Sequence, residues 1–142
     1  FDIEMKDNNA LISLSWEKTR VSFLIETSTN DEINEQIKSE LLSGKNTNAD
    51  NYAGGASFLL TRDTDLVTAL DLAERALKLD PQSEWARNLK IEICEKLEKY
   101  QEAIEEIDAT IVMLNSKNDR AAEINKLKGD RGRLEKLLKK QK

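Results

Sequence analysis

The spacing of hydrophobic positions changes near residue 28. Before it, apolar side chains alternate: Phe1, Ile3 and Met5 in FDIEM, Ile12, Leu14 and Trp16 in ALISLSW, and Val21, Phe23 and Ile25 in RVSFLIET. A period of two is the mark of a strand with one apolar face. Asp7-Asn8-Asn9 and Glu17-Lys18-Thr19 separate the runs with turn-forming residues. Residues 1–28 are therefore predicted to form a three-stranded antiparallel meander. Three short strands need a cover for their apolar face. The meander is expected to continue a sheet begun upstream or to pack against helices.

From Thr29 the period becomes helical. Thr29 and Glu32 fit a capping box, Ile33, Ile37 and Leu41 share one face, and Gly44 suits a C-terminal cap. GKNTNADN reads as a loop in which Asn48 or Asp50 caps a helix over about 51–61. Gly54 and Gly55 weaken that helix, and close approach of a neighbouring backbone is the expected compensation. Asp65 is a candidate cap for a helix over 66–79, with Leu66, Ala69, Leu70, Ala73, Ala76 and Leu77 on its face. Asp80 and Pro81 are expected to start the next helix, which reaches about residue 97 through Trp85, Leu89, Ile93 and Leu97. A helix over 100–114 carries Ala103, Ile104, Ile107, Ile111 and Leu114. The last, over 119–140, repeats Ile124, Leu127, Arg131, Leu134 and Leu138 in a heptad-like seam. That seam is expected to cap the preceding helices, with weak self-association as the alternative.

The fold class is thus α+β, mainly α: a β-meander over 1–28, expected to end a larger upstream β domain, and a helical repeat-like domain over 29–142. The 142 residues suffice for one ordinary domain or two small units. Lys and Arg number 22 against 27 Asp and Glu, a net charge of -5. An acidic balance is a poor match for nucleic acid, which rewards clustered cations. The basic end, RGRLEKLLKKQK, complements a helix C-terminus. No run is long and apolar enough to insert in a membrane.

The chain contains no histidine and one cysteine, Cys94. Histidine-based triads, general bases and zinc sites are excluded within it, as is an internal disulfide. NTNADN offers Asn46, Asn48 and Asp50 at calcium-loop spacing, but Asn51 and Ser57 stand where glycine and glutamate are needed. Gly54-Gly55 lacks the sequence of a nucleotide loop. Glu102, Glu105, Glu106 and Asp108 read as the solvated side of a helix. No catalytic residue, metal ligand or cofactor is predicted.

The helices over 51–114 resemble tetratricopeptide repeats, helical hairpins of about 34 residues with small residues at the crossing and proline at the join. Ala69, Ala73, Ala76 and Pro81 carry the likeness, and Tyr100 and Ala103 recur 34 residues after Leu66 and Ala69. Thr110 replaces the later alanine, and YAGGASFLL departs from the first-helix pattern. The resemblance implies a groove lined by polar residues of the first helices, for which Asn51, Arg87, Asn88 and Lys90 are the candidates. A wider likeness, carried by ALISLSWEKTRVSFLIET followed by ALDLAERALKLDP, is to the bacterial domain-of-unknown-function family 2911. Leu14, Trp16, Glu17, Val21 and Phe23 match its strand–turn–strand signature; Leu24 stands where many members have proline. That resemblance implies a fragment of a longer, exported protein of the periplasm or cell envelope, and supplies no activity. The opening FDIEMKD, without an initiator methionine, suits a fragment. The functional expectation is a noncatalytic structural or interaction module, its partner the upstream domain or another protein. The alternatives are an accessory region of an envelope enzyme or ligand-binding protein, and an oligomerisation module using the last helix.

Overall fold

The computed structural model describes residues 2–6, 9–16, 19–25, 30–45, 47–117 and 119–141. They form strands β1 (Asp2–Lys6), β2 (Asn9–Trp16) and β3 (Thr19–Ile25), then helices α1 (Asn30–Gln36), α2 (Ala49–Thr61), α3 (Leu66–Leu79), α4 (Glu84–Lys96), α5 (Tyr100–Asn115) and α6 (Ala121–Gln141). The architecture is α+β and mainly α, as the change of period predicts. Two compact units result, Phe1–Ser39 and Glu40–Lys142. Helix α1, which periodicity assigns to the helical part, groups with the strands.

In the first unit the strands pair antiparallel in the order β1-β2-β3. Their register sets Ile3 against Ile12 and Ile12 against Phe23, with Leu14 opposite Val21. Directly paired residues lie on one side of a sheet, so the three alternating runs merge into a single apolar face. Ile3, Leu14, Trp16, Val21 and Phe23 on that face are 38–54% exposed. On the other face the Ser13 and Ser22 hydroxyls lie 2.8 Å apart, and the Arg20 guanidinium donates to Ser13. The expected single helix over 29–43 instead passes from α1 into a π-helical turn, Ile37–Leu41, where both named residues are buried. Phe1, both strand-connecting turns and the cap expected at Thr29 lie outside the described residues, wholly or in part.

The second unit is a helical repeat. Helix α2 packs on α3, α3 on α4, α4 on α5 and α5 on α6, while α2 also reaches α4. The contact that sets the spacing is made by alanine. Ala69, Ala73 and Ala76 of α3 are fully buried, as are Ala56 of α2, Ala86 of α4 and Ala103 of α5. A methyl group holds neighbouring backbones close where a longer side chain would hold them apart. Leu72, Ile93 and Ile107 fill the remaining space and are equally buried.

Local chemistry fixes the helix ends. Asn48 accepts from the Asp50 amide at 2.8 Å and starts α2; Asp65 accepts from the Thr68 amide at 3.2 Å and starts α3. Gly44 has φ +73°, a left-handed conformation that glycine adopts without strain. The start of α4 differs from expectation. Ser83, not Asp80, is its cap, accepting from the Ala86 amide, while Asp80 closes α3 and its carboxylate takes the Gln82 amide. Pro81 therefore sits in the turn, ahead of the first helical residue. Gly54 also departs from expectation: a Cβ there would meet nothing within 4 Å, so no neighbouring backbone requires the glycine.

Two substitutions test this packing in a denaturant titration. Gly54→Ala is expected to raise stability by about 0.5–1 kcal/mol, because it restricts the unfolded chain without a clash. Ala76→Leu is expected to lower it by about 1–3 kcal/mol, because the site has no room.

Candidate functional site

The residues expected to line one groove divide between two of the helical unit's hollows. Arg87 and Lys90 face the first hollow, beside Glu74, Pro81 and Glu106. Arg87 pairs with Glu106 through one terminal guanidinium nitrogen and donates to the Pro81 carbonyl at 2.8 Å through the other terminal nitrogen. Lys90 reaches Glu106 at 3.2 Å and Glu74 at 3.5 Å. Burial works against the Lys90 charge, yet the adjoining Glu106 and Glu74 hold its pKa above 10.5. The Glu106 side chain is only 10% exposed, so the pairing joins α3, α4 and α5 from within. Glu106 is thus a correction to the solvated acidic face expected of α5. Its buried position next to Ile107 carries no apolar signal. The foretelling sign is the pair of cations, Arg87 and Lys90, one helical turn apart on α4.

Asn88 faces the second hollow, a cleft of about 390 Å³ between α4 and α6. Thr110 and Leu114 of α5 floor it. Asn88, Ile91, Glu92 and Glu95 form the α4 wall; Lys126, Leu127, Asp130 and Arg133 form much of the other. Thr110 donates its hydroxyl to the Glu106 carbonyl at 2.7 Å and so spends its proton inside α5. Asn51, the fourth expected groove residue, is exposed in the first turn of α2 and lines neither hollow.

Ion pairs strap the cleft at both ends. At one, Glu84 of α4 meets Lys117 at 2.6 Å and Arg120 at 2.5 Å. At the other, the two terminal guanidinium nitrogens of Arg133 donate to the two oxygens of Glu95. Hydrogen bonds from Lys117 and Arg120 hold the Glu84 carboxyl below its ordinary 4.5, and those from Arg133 do the same for Glu95. Beneath, α6 packs along α5, with Leu134 fully buried and Arg131 bonded to Asp108 at 2.7 Å. Of the heptad-like seam, Leu134 is buried, while Ile124, Leu127, Arg131 and Leu138 stay partly exposed along α6.

The other conspicuous side chains separate by environment. Tyr52 is buried and Tyr100 partly so, but Trp85 is 45% exposed, against the core position expected from its spacing. It occupies the second position of α4, in the helix's first turn, one turn ahead of the buried Leu89. Cys94 is fully buried, and that burial pushes its thiol up to about 11. Among the described residues, no group of three or more Cys, Asp or Glu side chains is placed to hold a metal, and no helix is long and apolar enough to cross a membrane.

No protein-family model matches the chain, and no curated protein matches it.

The two sets of charges are expected to respond differently to substitution. Glu106→Ala leaves the part-buried Arg87 without its carboxylate and Lys90 with Glu74 alone, and should cost about 1–3 kcal/mol in urea unfolding. Arg133→Ala breaks a half-exposed pair and should cost no more than about 1 kcal/mol. The straps also set a pH dependence. Glu84 and Glu95 have depressed values when folded, so their contribution is complete above 4.5 and is lost as pH falls through their folded values. The urea midpoint should decline below that point, and less steeply in the double variant Glu84→Gln/Glu95→Gln.

Proposed function

We propose that the helical unit is an interaction scaffold that holds a segment of a partner protein in the cleft between α4 and α6. The observation that carries this reading is the cleft's composition: an aliphatic patch of Ile91, Leu114 and Leu127, one from each of its three helices, among charged and polar side chains. Apolar contact supplies affinity and the polar groups fix orientation. Asn88, Glu92 and Lys126 are exposed there. The first hollow serves a different purpose, because Arg87 and Lys90 are engaged with Glu106. A single cleft of this size admits a short stretch of chain, which suits a module that positions a partner. The likeness to the bacterial domain-of-unknown-function family 2911 favours a cell-envelope setting and an upstream domain as the partner.

Selection from a displayed random-peptide library tests the reading. Enriched peptides should bind the wild-type chain, lose affinity for Asn88→Arg and Leu127→Asp, and retain it for Val67→Asp on α3. Circular dichroism would verify that all three variants fold. Failure to enrich any peptide, or binding indifferent to both cleft substitutions, would refute a cleft-based scaffold.

A further inference from the structure

The cleft's charges are not all engaged, and the difference selects an occupant. Glu84 is held by Lys117 and Arg120, and Glu95 by Arg133. Glu123 pairs with Arg120, and Asp130 lies 3.4 Å from Arg133. Glu92 and Lys126, in the middle of opposite walls, enter no ion pair among the described residues. The cleft and its straps contain five carboxylates, Glu84, Glu92, Glu95, Glu123 and Asp130. Four cations face them: Lys117, Arg120, Lys126 and Arg133. One negative charge is in excess, within a chain whose net charge is -5.

We infer that the cleft binds an extended peptide segment in which a lysine or arginine adjoins a leucine-sized aliphatic residue. The aliphatic side chain enters between Ile91 and Leu127 and rests on Leu114. The neighbouring cation meets Glu92. Asn88, one turn before Glu92 on α4, offers an amide to the peptide backbone, and Lys126 donates to a peptide carbonyl from the other wall. An acidic segment would bring its charge to Glu92 and Asp130, with Lys126 as its sole unengaged cation, so the excess charge disfavours it. This inference rests on the scaffold reading above and adds the chemistry of the partner.

Titration of the full chain with three synthetic peptides, followed by fluorescence anisotropy, tests it. One has a central leucine flanked by lysines; the second replaces the lysines by glutamates; the third replaces the leucine by serine. The lysine–leucine peptide should bind at least about fivefold more tightly than either of the others, the scale of one partly exposed ion pair. Glu92→Lys should weaken it about tenfold, Glu92→Gln by less, and Lys126→Gln should leave it as tight or tighter. Added salt should reduce the lysine peptide's advantage over the glutamate peptide. Because Glu92 is exposed, an unchanged thermal midpoint would separate these effects from unfolding. Equal or tighter binding of the glutamate peptide, lost on Asn88→Arg, would overturn the basic preference while leaving the scaffold reading intact. Absence of binding by all three peptides, together with no enrichment from the random library, would overturn both.

Discussion

The constraint on which the helical unit depends is the closeness of its backbones at α3. Ala69, Ala73 and Ala76 have no exposed surface, and Ala56 and Ala86 meet the same condition on flanking helices. Their small side chains fix how near α2 and α4 stand to α3. The α3–α4 packing brings Lys90 within 3.5 Å of Glu74 on α3, and the α4–α5 packing, with Ala86 and Ala103 buried on the two helices, sets Glu106 beside Arg87 and Lys90. The charged cluster is therefore a consequence of alanine packing as much as of electrostatics. A wider spacing would leave the same charges solvated and worth little.

The buried cluster and the cleft divide the work of α4. One side carries Arg87 and Lys90 inward, where their charge serves cohesion. The other carries Asn88, Glu92 and Glu95 to an open surface. Residues adjacent in sequence point to different fates because a helix turns by roughly 100° per residue. Charge alone does not distinguish them. Whether a cation belongs to the interior or the surface depends on what the next helix sets opposite it.

Most of the element order was legible from residue spacing. Asn48 and Asp65 announced two helix starts, and the alternation in the strands foretold one shared apolar face. Legibility failed where two local signals competed or where a partner lay far along the chain. Asp80-Pro81 resembles a helix start, but Ser83 reaches the Ala86 amide and shifts the start forward. Glu106 looks solvated until its partners, 19 and 16 residues away, are brought beside it. The expected groove gathered Arg87 with Asn88 because both are polar residues of a first helix, whereas the helix turns them to different hollows. The cleft itself drew on α6, which reads on its own as a charged cap. Its part in a wall emerges only when Arg133 meets Glu95, 38 residues away.

Cys94 gives the helical unit an internal clock. Its sulfur is sealed within α4, and desolvation disfavours the thiolate on which alkylating reagents act. With no second cysteine in the chain, every labelling event records one place and one kind of motion: separation of the packed helices far enough to admit reagent and release a proton. The rate at which this thiol disappears thus measures the native ensemble's rare openings rather than its average shape. A residue without an evident part in binding becomes the natural gauge of how firmly the scaffold stays closed.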